Sequence, residues 1–125
     1  MSTPAFSHSS TFMTCHISTD HHVSLIELAG DIDGKTAGEI QERIFPDVET
    51  ASKILVNMHE VEYMSSAGLR MLLLLYRQVR KKSGQIALVG LSEDIKDIMS
   101  VTGFLEYFRV CDTIEEGLAL LEEGP

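Results

Sequence analysis

Hydrophobic and polar positions follow two different periods along this chain. In HHVSLIELAG (His21–Gly30), Val23 and Leu25 alternate with polar neighbours before the run turns fully apolar, which is the pattern of a strand. GDIDG breaks it. KTAGEIQERIF then sets Ala37, Ile40 and Ile44 at helical spacing, and Pro46 is expected to stop or follow that helix. KILVNM (Lys53–Met58) is short, apolar and β-branched, as a buried strand is. After the loop HEVEYM, a second helix is expected from about Ser66 to Lys82, ended by Ser83-Gly84. QIALVG (Gln85–Gly90) reads as another buried strand. Ser92 can cap a helix with Glu93 and Asp94 in its first turn, and Gly103 can end it. YFRV (107–110) suggests a last short strand. Thr113 and Glu116 fit a capping box that opens a final helix to about Glu122.

This order of strand, helix, strand, helix, strand, helix, short strand, helix argues for an α/β fold with crossover helices and a mainly parallel sheet. Residues 13–18 suit an extra strand antiparallel to His21–Gly30, with His21-His22 at the hairpin turn. The expected architecture is a small mixed sheet, parallel at its centre and antiparallel at one edge, with helices mainly on one side. A chain of 125 residues suits one such domain. Residues 1–12 are rich in Ser and Thr and lack periodicity, so they are expected to be a flexible tail, with the domain over 13–125.

Charge and composition narrow the partners. The net charge of -9 argues against nucleic acid, whose phosphates need a basic face; an acidic surface can steer toward a basic protein partner, but is more commonly just a solvated, soluble face. The longest near-continuous apolar run, Met71–Tyr76, falls far short of the roughly 20 residues of a membrane span, so no membrane association is expected. The N-terminus lacks the basic and apolar regions of a secretory signal, which points to the cytoplasm. Cys15 and Cys111 are isolated and read as idle thiols. His8, His16, His21, His22 and His59 do not form a ligand set, so neither metal nor cofactor is expected. Arg77, Arg80, Lys81 and Lys82 complement the negative end of the long helix.

EYMSSAGLRMLLLLY (Glu62–Tyr76) carries the candidate chemistry. A Ser before an apolar periodic run is commonly an N-cap, but one serine suffices. The second, followed by Ala67 and Gly68, leaves a small-residue surface at the positive end of a helix. A nucleophilic serine is one reading: Gly68 fits a nucleophile elbow, but Met64 stands where its first glycine belongs. Such a hydrolase also needs a base and an orienting acid; only His59 is close in sequence, and the extra strands of those enzymes are missing. Binding of a free phosphate or nucleotide lacks a Gly-rich loop and a lysine. Phosphorylation of Ser66 is the third reading; it would add about -1.5 to -2 charges at a helix N-terminus, where they sit well. Along this helix Leu69, Leu72, Leu73, Tyr76 and Val79 form one core stripe. Met71 and Leu74 fall off it, and either form a partner surface or are covered by neighbouring elements.

The stretch from Val56 to Phe104, with SSAGLR at its centre, resembles the core of the STAS domain found in bacterial anti-sigma factor antagonists. GDIDGKTAGEI resembles the opening motif of that family, G-x-[LI]-D followed by T-A. The resemblance spans residues 13 to 122. It implies a binding protein and not an enzyme. Unphosphorylated, such a protein binds a serine kinase that is also an anti-sigma factor, and a sigma factor is released. Phosphorylation breaks that complex, and a PP2C-type phosphatase restores it. The family motif D-S-S-G-L, aligned on Gly68-Leu69, places the modified serine at Ser66, with Ser65 as the runner-up acceptor. Ser65 stands where the motif has Asp, and Ala67 where it has its second Ser. The turn carrying Asp33 is implied to share the face of Ser66, although Asp33 can equally be the N-cap of the helix after it. The implied docking face comprises Asp33, Met64, Ser65, Ala67, Gly68, Leu69, Met71 and Leu74. Alternatives are a STAS regulator of another kinase, phosphatase or cyclase output, and a STAS module that binds a small ligand.

Overall fold

The computed structural model describes residues 13–20 and 22–123, with the side chains of Met13 and Asp20 excepted. The expected flexible tail over 1–12 and the turn residue His21 lie outside the described residues. Strands β1 (Met13–Asp20) and β2 (Val23–Gly30) pair antiparallel down to Asp20 and Val23. His22, in the loop between them, has φ 68°, as short hairpin loops require. There follow α1 (Gly34–Thr50), β3 (Lys53–Glu60), α2 (Ser66–Lys81), β4 (Gln85–Val89), α3 (Glu93–Val101), a 3-10 turn (Phe104–Tyr107), β5 (Arg109–Cys111) and α4 (Ile114–Glu123). The sheet order is β1-β2-β3-β4-β5, with every pair after the first parallel.

Alternation along the central strands divides the core in two. Ile26 and Leu28, Ile54, Val56 and Met58, and Ile86 and Leu88 turn to the face covered by α1, α2 and α3. Val23, Leu25, Leu55, Ala87 and Val89 turn to the opposite face, which α4 covers with Ile114, Leu118 and Leu121. Both faces are therefore apolar, which explains why these strands read as continuous apolar runs. Gly117 lets α4 approach closely: a Cβ there would lie 2.5 Å from Leu55 Cδ1.

Three expectations need correction. Pro46 does not stop α1, which runs through it to Thr50. The buried stripe of Ala37, Ile40 and Ile44 continues to Val48, so packing outweighs the one backbone bond that proline forfeits. The last turn is closed by the Ala51 N–H on the Asp47 carbonyl, and the Lys82 ammonium reaches the Val48 carbonyl. The capping box at α4 is half formed. The Thr113 hydroxyl accepts from Glu116 N–H at 3.1 Å, but Glu116 Oε1 accepts from Asp112 N–H at 3.0 Å and not from the cap itself. Finally, the short strand lies at Arg109–Cys111, because Tyr107 still belongs to the 3-10 turn. Among the described residues no helix is long and apolar enough to cross a membrane.

Candidate functional site

The site forms where the chain leaves the C-terminal ends of β2 and β3. Beyond the strands the two segments stay zipped. Ile32 N–H donates to the Tyr63 carbonyl at 3.0 Å, and Ser65 N–H donates to the Ile32 carbonyl at 2.8 Å. This isolated parallel bridge between Ile32 and Met64 buries both side chains. It brings Asp33, at the start of α1, and Ser65, at the start of α2, to one end of the molecule.

Asp33 is the N-cap of α1. Its Oδ1 accepts from the N–H groups of Lys35 and Thr36, both at 3.0 Å. In return, Asp33 N–H donates to the Thr36 hydroxyl at 2.8 Å, and that hydroxyl donates to the Asp31 carbonyl at 2.9 Å. The bond from Thr36 N–H does most to hold the Asp33 carboxyl below its ordinary value of 3.8. A lowered folded pKa contributes stability above the unfolded value, and that stability is lost as pH falls through the folded one. Asp33→Asn should therefore lower Tm modestly above pH 3.8 and flatten its dependence on pH below that value, so that the two profiles converge in acid. An acid profile identical to wild type would show that the cap does not depend on the charge.

Ser65 and Ser66 differ in kind. Ser65 is the N-cap of α2 by backbone geometry, with φ -81° and ψ 178°, and its carbonyl accepts from Leu69 N–H at 3.1 Å. Its hydroxyl does not cap: Ser65 Oγ is buried and has no hydrogen-bond partner among the described residues. Replacing a capping serine by alanine normally costs about 1 kcal/mol. Here no cap bond is lost and an unpaired buried hydroxyl is removed. Ser65→Ala should leave the denaturation midpoint unchanged or raise it, and a loss near 1 kcal/mol would mean that the hydroxyl caps in solution. Ser66 is the first helical residue and is exposed. Ala67 is half-buried beside it.

Gly68 sets how close α2 can come. A Cβ there would lie 2.3 Å from Met64 Cγ and 2.8 Å from Ile32 Cγ2, both in the buried bridge. Alanine would gain about 1 kcal/mol of helix propensity. Overpacking a closed contact costs about 1–3 kcal/mol, so Gly68→Ala should lower Tm on balance. An unchanged Tm would show that Met64 yields freely.

The helix itself departs from the expected stripe. Its buried residues are Gly68, Leu69, Met71, Leu72, Leu75 and Val79, while Leu73, Leu74 and Tyr76 are half-buried. Val79 lies near the middle of this apolar arc, with Met71 on one flank and Leu69 and Tyr76 on the other. The arc is wide because α2 packs on α1 and the 3-10 turn as well as on β4. Met71 is 1% exposed, so it belongs to the core and not to a surface. The side chains of Met64 and Leu69 are likewise buried, as is Gly68. What remains accessible of the implied docking face is Asp33, Ser66, Ala67, the edge of Ser65 and part of Leu74.

Sequence reasoning missed a groove beside this face. About 360 Å³ in volume, it runs between the Glu62–Met64 segment and α3, where Asp94, Asp97 and Ile98 line it. Tyr63 is 53% and Ile98 43% exposed, and the carboxylates of Glu62, Asp94 and Asp97 share the groove with them. Ile98 was the legible signal, since it lies off the buried pair Ile95 and Met99. The base of the hydrolase reading is engaged elsewhere. His59 Nε2 lies 3.0 Å from the Asp112 carbonyl, and its ring packs where a side chain of Gly90 would be. Cys15 and Cys111 are buried, and burial pushes both thiols up.

Known proteins match this chain in sequence and fold. The STAS domain model matches residues 15–117. The anti-sigma-B factor antagonist of Bacillus subtilis is 27% identical over 93 residues, covering 74% of this chain and 85% of that protein. Among solved structures, an anti-sigma factor antagonist from Mycobacterium paratuberculosis has a TM-score of 0.83 at 22% identity, covering 91% of this chain and 97% of that one. The Bacillus antagonist SpoIIAA in its unphosphorylated form has a TM-score of 0.76 at 18% identity, covering 88% and 97%. Its phosphorylated form has a TM-score of 0.69, covering 85% and 97%. The family match over residues 15–117, together with the fold, places this chain in the STAS domain family, and the similar proteins named above are anti-sigma factor antagonists.

Proposed function

We propose that this protein is an anti-sigma factor antagonist switched by phosphorylation of Ser66. Unmodified, it binds an anti-sigma factor that is also a serine kinase, through the face holding Asp33, Ser66 and Ala67. The kinase transfers the γ-phosphoryl group of a nucleoside triphosphate to Ser66 Oγ. The hydroxyl proton leaves to a base of the kinase, and the nucleoside diphosphate departs. A PP2C-type phosphatase hydrolyses the phosphoester and restores binding. All of this takes place in the cytoplasm.

The observation that carries the choice of acceptor is the contrast in exposure. Ser66 is exposed at the first turn of α2, whereas Ser65 Oγ is buried. A kinase must reach the hydroxyl, and a dianion at Ser66 would meet the N–H groups that an α-helix leaves unpaired in its first turn. The groove with Tyr63, Ile98, Glu62, Asp94 and Asp97 fits a partner surface that is apolar at its centre and basic at its rim. Phosphosite mapping by mass spectrometry, on protein isolated from its native host, tests the assignment. Phosphate on Ser66 is expected. Phosphate on Ser65, or none under any growth condition, would overturn it.

A further inference from the structure

We infer that the protein carries a second binding site, for a small organic oxyanion bearing a flat apolar group, at the end of the molecule opposite Ser66. It does not rest on the phosphorylation switch. The site is a pocket of about 210 Å³ between the last turns of α2, the start of β4 and the segment leading into β5. Tyr76, Arg80, Gln85, Ile86, Tyr107 and Arg109 line it. Arg80 lies 14 residues beyond Ser66 on α2, about 21 Å along the helix axis.

Charge is the first argument. In a chain of net charge -9, two guanidinium groups converge on one pocket. Neither pairs with a carboxylate among the described residues, where the ion pair found is Lys96 with Glu93. Arg109 is also fixed in place. Its Nη1 donates to the Leu120 carbonyl at 2.7 Å and lies 3.5 Å from Gln85 Oε1. A guanidinium has five N–H donors, so donors remain on the half-buried Arg109 beyond those two contacts. A partly desolvated cation held by neutral carbonyls favours an anion, and a planar fork favours a carboxylate or phosphate.

The walls supply the rest of the ligand class. The rings of Tyr76 and Tyr107 lie 5.2 Å apart, and Phe108 meets Tyr76 edge-on at 5.5 Å, which braces it. Ile86, which is buried, adds an aliphatic wall. Aromatic walls beside the fixed Arg109 guanidinium and the exposed Arg80 suit a ring attached to an oxyanion. The volume is below the roughly 300–1,000 Å³ of pockets for larger ligands, which limits the occupant to about one ring with its anionic group. The C-terminal end of α2 is negative and opposes an anion, so Arg80, in the last turn, must offset it for binding to occur. A role confined to that offset would leave the pocket without ligand.

Titrating the full chain with phenyl phosphate, followed by amide chemical shifts, tests the inference. Saturable shifts at Arg80, Gln85, Tyr107 and Arg109 are expected, with inorganic phosphate binding more weakly for want of a ring. Arg80→Gln should weaken phenyl phosphate binding about tenfold or more, since it removes a charged donor. Arg77→Gln, one turn back on the same helix and not in the pocket, should leave binding intact. Shifts that never saturate would overturn the inference, as would equal weakening by Arg77→Gln and Arg80→Gln, which would mean diffuse charge and no site.

Discussion

Ser66→Asp is expected to weaken binding of the anti-sigma factor about a hundredfold, or about 2.8 kcal/mol, while Ser66→Ala and Ser65→Ala retain it. Ser66 is exposed at the start of α2, next to Ala67, so a partner docked on the start of this helix covers it. A new charge there must be desolvated inside the interface, and an unpaired buried charge is costly. The neighbourhood adds to the penalty, because Glu62, Asp94 and Asp97 already make this end acidic. A partner shaped for that end is basic and would attract a distant anion, so the loss depends on steric and desolvation costs at Ser66 itself. Aspartate carries one charge and phosphoserine about -1.5 to -2, so the modified protein should bind more weakly than the mimic. Calorimetry with the partner recovered on wild-type protein measures this. Equal affinity of all three variants would reduce Ser66 to a surface residue.

Met71→Ala is expected to destabilise the fold by about 2–5 kcal/mol, as large-to-small changes in closed cores do. Met71 is 1% exposed and lies in one cluster with Ile40, Ile44, Leu72 and Leu75. Leu74→Ala, at a half-buried position on the same helix, should cost distinctly less. Urea denaturation separates the two. If Met71→Ala kept full stability and lost partner binding, Met71 would be a docking residue and the packing of α2 against α1 would be wrong.

That contrast marks where local pattern stops being informative. The order of strands and helices was legible because KILVNM and QIALVG are short apolar runs between turns, and because Ser92 caps α3 as its sequence suggests, with its hydroxyl accepting from Ile95 N–H at 3.2 Å. Met71 was misplaced because a single stripe was counted, whereas an element wedged between a sheet, a helix and a 3-10 turn buries a wide arc. Pro46 was misplaced for a related reason: the local penalty is real, but Val48 lies two residues further on and its burial is tertiary. The serines were legible as a site but not as a pair of unlike groups. Which hydroxyl is buried depends on the zipper between Ile32 and Met64, which joins segments far apart in the chain. The groove between Tyr63 and Ile98, and the pocket that joins Arg80 to Arg109, arise the same way. Arg80 reads in the sequence as a complement to the helix dipole, and only the position of β5 brings a second guanidinium beside it.

The most direct test of the switch is to form the complex with wild-type protein and purified partner, add ATP, and follow dissociation and Ser66 phosphorylation in the same sample. The account predicts that the complex falls apart as phosphate accumulates on Ser66, and that the Ser66→Ala complex survives ATP. A complex that persists with Ser66 fully phosphorylated, or a Ser66→Ala complex that dissociates equally fast, would contradict it.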